Sequence, residues 1–162
     1  MSLLIRPAQP GDVETIVALI RELADYEKLL SDVVITPEGL HEQLFGEPSV
    51  IEVLMAEWEG EAVGFALFFH NFSTFLGRPG LYLEDLFVRP AFRGKGIGKA
   101  LLTRLAQLAV ERKCGRFEWS VLDWNEPSIQ FYKSQGAVPM DEWTTFRVTG
   151  DALARLAGAV SV

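Results

Sequence analysis

Two neighbouring stretches hold residue types that do chemistry. Leu81 to Val88 is apolar except for the adjacent carboxylates Glu84 and Asp85. An acid inside such a run is costly unless it is paired or used. Each therefore reads either as half of a structural ion pair or as a working group. Successive strand residues face opposite sides, so the two share one cleft only if the strand bulges. Immediately downstream, Arg93-Gly94-Lys95-Gly96-Ile97-Gly98-Lys99 sets glycines among cations at the expected start of a helix. Bare backbone N–H groups at a helix N-terminus hold phosphates. The spacing is neither that of a P-loop nor that of a dinucleotide fingerprint. The loop reads as a pyrophosphate cradle, against the plainer reading of a tight turn.

A second group lies at Asp123, Trp124, Asn125, Glu126 and Ser128, between a strand end and a helix start. Asn125 or Glu126 serves equally as a helix cap. Tyr132 follows Asn125 by two helical turns, so the pair shares a helix face, with Lys133 beside it. Among the clustered phenylalanines, Phe65, Phe68 and Phe69 read as core, and Phe72 and Phe75 as pocket-lining residues. His41 and His70 form no metal-binding spacing with the single Cys114, and no nucleophile motif is present.

The elements that must position these groups are legible from periodicity. A strand at Leu3–Ile5 precedes a helix over about Val13 to Glu27, capped by Asp12, with Val13, Ile16, Leu19, Ile20 and Leu23 on one face. Thr36-Pro37 starts a short helix that ends near Gly46. Strands at Val50–Trp58 and Ala62–His70 flank the Glu59-Gly60 turn, and Asn71 to Gly80 reads as a loop. After the Leu81–Val88 strand come a long helix from Gly96 to Arg112, a strand at Phe117–Leu122 and a helix from Pro127 to Gln135. A last strand is expected at Trp143–Val148, then a tail helix over about 151–157 capped by Asp151. The chain, 1–162, reads as a single α/β domain around a mixed sheet, with its core over about 3–148.

Composition narrows the function. The formal net charge is −7, which argues against nucleic acid and membrane surfaces as partners. Against it, Arg89 to Lys99 carries four cations and no acid, a basic island suited to a local anion. No apolar run is long enough to span a bilayer, and the first residues lack a signal peptide's apolar region. One cysteine fits a reducing, cytoplasmic setting.

Arg93-Gly94-x-Gly96-x-Gly98 fits the acetyl-CoA-binding R/Q-x-x-G-x-G/A pattern of the GNAT N-acetyltransferases. YLEDLFVRPAFRGKGIG followed by VLDWNEPSIQFYKSQGA resembles the diamine (spermidine/spermine and thialysine) branch, over nearly the whole chain. The resemblance implies a mostly antiparallel sheet, flanked by helices and splayed between the strands at Leu86 and at Phe117–Leu122. It implies that the pantetheine arm of acetyl-CoA pairs with Leu86, Phe87 and Val88, and that the pyrophosphate sits on Arg93, Gly94, Lys95, Gly96, Ile97, Gly98 and Lys99. Asn125, Ser128, Tyr132 and Lys133 then line the cosubstrate, with Tyr132 beside the thioester sulfur. Glu84 lies by the acceptor amine, and Asp85, Phe75 and Trp124 complete the acceptor side. No metal is implied, and members of this branch are usually homodimers. Ser73-Thr74-Phe75 stands where the polyamine enzymes carry an Asp-Pro-Trp-like segment, which shifts the expected acceptor toward thialysine, lysine-like amines and small diamines. Two other readings remain open on the same fold: a protein N-terminal or lysine acetyltransferase, and a non-catalytic acyl-CoA sensor.

Overall fold

The computed structural model describes residues 2–158. These divide after Leu122 into two compact units. The larger unit is built on one mixed sheet. Strands β1 (Leu3–Pro7), β2 (Glu52–Trp58), β3 (Glu61–Ser73) and β4 (Arg78–Val88) run antiparallel in chain order, and β5 (Arg116–Trp119) joins β4 in parallel. Helices α1 (Val13–Tyr26) and α2 (Pro37–Phe45) separate β1 from β2, and α3 (Ile97–Glu111) separates β4 from β5.

Each face of the sheet is covered. Val13, Ile16, Leu19 and Leu23 of α1 and Leu40 and Leu44 of α2 form one cluster with Val53, Met55, Phe65, Leu67 and Phe87. The alternate positions, Leu54, Ala56, Ala66, Phe68, Leu81 and Leu83, face the other way, where α3 buries Ile97, Leu101, Leu102, Leu105 and Leu108. Covering on both faces explains why β3 reads as a nearly unbroken apolar run. Glu59 and Gly60 take φ of 51° and 83°, the double positive-φ turn that suits a two-residue hairpin.

Several expectations are corrected. The stretch 71–80 is not a loop: β3 runs to Ser73 and β4 starts at Arg78, leaving a tight turn at 74–77. β5 ends at Trp119, not Leu122, because its partner β4 diverges there. In the smaller unit α4 (Glu126–Ser134) forms as expected, but 143–148 is no strand. Trp143 and Phe146 stand 78% and 90% exposed there, and β-propensity without a pairing neighbour does not make a strand. The tail helix α5 (Gly150–Leu156) has Thr149 at its cap position, with Asp151 inside its first turn.

Asp12 stands at the cap position of α1 but makes no cap bond. Its carboxylate accepts from the Gln9 N–H (2.7 Å) and from both terminal nitrogens of Arg6 (2.7 and 2.9 Å). Arg6 Nε also donates to Glu57 at 2.5 Å. The cluster ties β1 to β2 and to the entry of α1, and the bond from Arg6 holds the Asp12 carboxyl below its usual range. A carboxyl held low adds stability above its ordinary pKa and loses it as pH falls through the folded value. Asp12→Asn is therefore expected to cost about 1–3 kcal/mol near neutral pH. Thermal melts should show the gap to wild type narrowing on acidification, and a gap independent of pH would refute the assignment.

Candidate active site

The site is organised by one irregularity in β4. Leu67 of β3 pairs with Asp85, yet the next residue, Phe68, pairs with Leu83, so Glu84 is an extra residue in the ladder. This β-bulge switches the faces of β4. Leu81 and Leu83 lie under α3, whereas Asp85 and Phe87 lie on the α1 side, opposite Leu67 and Phe65. The condition under which Glu84 and Asp85 can share a cleft is thus met.

A third carboxylate joins them. Glu27 terminates α1, and its pKa is raised by burial and then by the charge of Glu84. Asp85 is half-buried, and its carboxylate makes no hydrogen bond or ion pair among the described residues. Burial first, then the charges of Glu84 and Glu27, push it up to about 7. Glu84 itself is exposed. An acid at a helix C-terminus also opposes the helix dipole. Three acids gathered this way repel one another, and a cation among them relieves the repulsion. Spacing along the sequence gave no sign of Glu27, which lies far upstream of the acids it meets.

The bulge coincides with an opening in the sheet. β5 pairs with β4 only from Gly80–Arg116 to Leu83–Trp119. The Arg89 N–H bonds across β3 to Val63 O at 2.8 Å. By strand alternation the N–H and C=O groups of Leu86 and Val88 therefore point to the opposite edge, where β5 has ended. The sheet is splayed at the expected place, with a strand edge that β5 leaves unpaired running from Glu84 to Val88.

That edge leads into the glycine loop. Gly94 and Gly96 take φ of 82° and 80°, and a Cβ at either would meet nothing within 4 Å, so the requirement is for backbone conformation and a bare surface. Gly96 occupies the cap position of α3 with no side-chain cap, leaving the first-turn N–H groups of Ile97, Gly98 and Lys99 to face outward. Ile97 itself is buried. The loop's cations are used differently from what their proximity suggests. Arg93 Nε donates back to Val88 O at 2.9 Å, and its guanidinium lies 5.1 Å from the Tyr26 ring and 5.4 Å from that of Phe87. Lys95 rests 5.1 Å over Trp58, and Arg89 pairs with Glu22. Only the ammonium of Lys99 has no partner among the described residues.

Phe75 is not brought to the acids. It sits 96% exposed in the β3–β4 turn, and Glu84 lies six residue steps beyond Arg78, about 20 Å along β4. Phe72 is also exposed, at 63%, so neither lines a pocket in this unit. In the smaller unit, Asn125 is buried and caps α4 by accepting from the Ser128 N–H, while Tyr132 is half-buried against Phe131. Trp124 and Lys133 are exposed. Among the described residues no group of His, Cys, Asp or Glu side chains is arranged to hold a metal ion, and no helix is long and apolar enough to cross a membrane.

The chain is similar to known proteins. The acetyltransferase (GNAT) family model matches residues 18–137. A thialysine N-epsilon-acetyltransferase from Sus scrofa is 41% identical, covering 97% of this chain and 98% of its own. An L-ornithine N5-acetyltransferase from Arabidopsis thaliana is 34% identical, over 92% of this chain and 85% of its own. Among solved structures, an integron cassette protein from V. cholerae superposes with a TM-score of 0.81 at 31% identity, over 97% and 98% of the two chains.

The acid cluster carries a prediction of its own. A carboxyl raised in the folded state weakens folding as pH rises from the unfolded value through the folded one. Asp85→Asn should therefore stabilise the protein progressively between about pH 4 and pH 8. Glu84→Gln and Glu27→Gln should each lower the Asp85 midpoint, read from its carboxyl carbon by NMR. A midpoint that ignores both substitutions would show that the three acids do not interact.

Proposed function

This chain belongs to the GNAT acetyltransferase family, and from that premise we propose that it transfers acetyl from acetyl-CoA to the primary amine of a small cationic acceptor. The acceptor class is thialysine, lysine-like amines, or short diamines and polyamines. One observation carries the reading: the Glu84 bulge sets an acid cluster beside an open strand edge that runs directly into a bare glycine loop. The edge and the loop suit the two parts of acetyl-CoA, the amide-bearing pantetheine and the pyrophosphate. Leu86 and Val88 offer strand-edge hydrogen bonds to the first, and the N–H groups of Gly94 to Lys99 offer a cradle to the second.

When bound, acetyl-CoA supplies an activated acyl group as a thioester. The chain's own groups supply the rest. An alkylammonium has a pKa of about 10.4, so at neutral pH the acceptor arrives protonated and cannot attack. Glu84 takes that proton, directly or through a water. Asp85 and Glu27 hold the acceptor's second cationic group, and a proton shared in the cluster leaves as that cation enters. The freed amine attacks the acetyl carbonyl, and the Leu86 N–H stabilises the charge that develops on its oxygen. Tyr132 returns a proton to the departing sulfur. In this scheme Asn125 shapes the start of α4, and Ser128 and Lys133 lie along the cosubstrate. Trp124 borders the acceptor. Phe75, remote from Glu84 within its own unit, reaches an acceptor site only from a partner subunit. The reading extends to a cytoplasmic homodimer with no nucleic acid or membrane partner.

The test is thiol release from acetyl-CoA with thialysine, lysine, ornithine, putrescine, spermidine, spermine and an N-terminal peptide. Saturable release with a small amine is the expected result. Release with the peptide alone would replace the small-amine reading with a protein acetyltransferase. Tyr132→Phe should lower turnover about 10²–10⁴-fold with little change in the KM for acetyl-CoA. Glu84→Gln should slow the reaction most at low pH. Full activity of the Phe variant, or a pH–rate profile unaltered by Glu84→Gln, would remove that residue from the mechanism.

A further inference from the structure

Arg93 opens the glycine motif, and its position invites the view that its charge meets the phosphates. The geometry points elsewhere. Its Nε bonds back to the carbonyl of Val88, the last residue of β4, and the guanidinium lies near the rings of Tyr26 from α1 and Phe87 from β4. These contacts hold the side chain against the strand end and two rings. We infer that Arg93 is a positioning residue: a strut that joins the end of the open strand edge to the start of the glycine loop and fixes the distance between them.

The bond to Val88 has a second effect. Val88 C=O belongs to the strand edge that β5 leaves unpaired, and it is the last carbonyl on that edge before the loop begins. With Arg93 occupying it, Leu86 C=O is the remaining carbonyl acceptor there. A ligand that pairs with this edge must stop pairing at Val88 and pass to the loop. Arg93 therefore sets the length of ligand that fits, from strand-paired amides to loop-bound phosphates. Tyr26 acts through it, and because Glu27 follows Tyr26 directly, the same helix end touches both the loop's strut and the acid cluster.

This inference rests on the proposed binding of acetyl-CoA along the edge and loop, and the experiment separates the two. Equilibrium binding of CoA is measured by calorimetry for wild type, Arg93→Met and Arg93→Lys. Methionine keeps a side-chain stem between the rings, and lysine keeps the charge but lacks the planar fork that bonds and stacks together. Both variants are expected to bind CoA about tenfold more weakly. In turnover, the loss with acetyl-CoA should exceed the loss with the N-acetylcysteamine thioester, which ends before the loop, by about fivefold or more. Restoration of affinity by lysine would show a direct charge contact with phosphate and overturn the strut. An equal loss with both thioesters would mark a general structural defect and overturn it too. If the Arg93 variants fail to fold, Tyr26→Leu should weaken CoA binding about threefold while Tyr26→Phe retains it; equal affinities for these two would refute the inference. Failure of wild type to bind CoA would instead remove the acetyl-CoA reading, and the strut with it.

Discussion

One extra residue in a β-ladder governs the rest of this structure. Without a bulge at Glu84, Asp85 would continue the series of Leu81 and Leu83 and lie under α3, in an apolar layer that has no place for a carboxylate. With it, Leu83 stays with α3 and Asp85 turns to the α1 side, where the C-terminus of α1 brings Glu27. A bulge also bends and twists the strand that carries it. Pairing with β5 ends at Leu83, the residue before the bulge, so the opening of the sheet and the gathering of the acids share a cause. The insertion thereby creates both a cluster of acids and a backbone edge that β5 leaves unpaired.

The electrostatic arrangement follows from where each charge is committed. Cations dominate Arg89 to Lys99, yet Arg89 is tied to Glu22, Arg93 to Val88 O and two rings, and Lys95 to Trp58. Side chains held in this way contribute a positive field without covering the loop's N–H groups. Each aromatic contact is worth only about 0.5–1 kcal/mol at an exposed site, so their value lies in direction. Across the strand the acids do the reverse. Burial first, and then their mutual repulsion, raises Asp85 to about 7; the repulsive part is a stored cost that a cationic ligand lowers. A bare glycine loop among cations and a cluster of acids thus sit at the two ends of the stretch from Glu84 to Lys99.

The parts legible in the sequence were those set by local rules. Helical spacing located α1 and α3, Thr36-Pro37 marked the start of α2, Glu59-Gly60 marked a hairpin, and three alternating glycines marked the loop. What local rules do not contain is pairing. Residues 143–148 have the composition of a strand but lack a neighbour, and Val121-Leu122 lost theirs when β4 bent away. Adjacent acids at Glu84 and Asp85 posed the question of a bulge, and only the register against Leu67 and Phe68 answered it. Glu27, Tyr26 and Trp58 were silent for the same reason: their partners are distant in sequence, and no periodicity links a helix end to a strand's acids.

The same distinction explains why the loop was easier to read than its chemistry. A glycine at positive φ is a local requirement, visible wherever the chain must turn and stay bare. The direction of an arginine is not local, because it depends on which acceptors and rings the fold supplies. Here the fold supplies a strand-end carbonyl and two aromatic rings. A charge counted in the sequence as part of an anion site becomes, in three dimensions, part of the frame that shapes it. The backbone N–H groups and the Lys99 ammonium remain the contacts available to a phosphate, and the sequence constrains the N–H groups by withholding side chains at Gly94, Gly96 and Gly98.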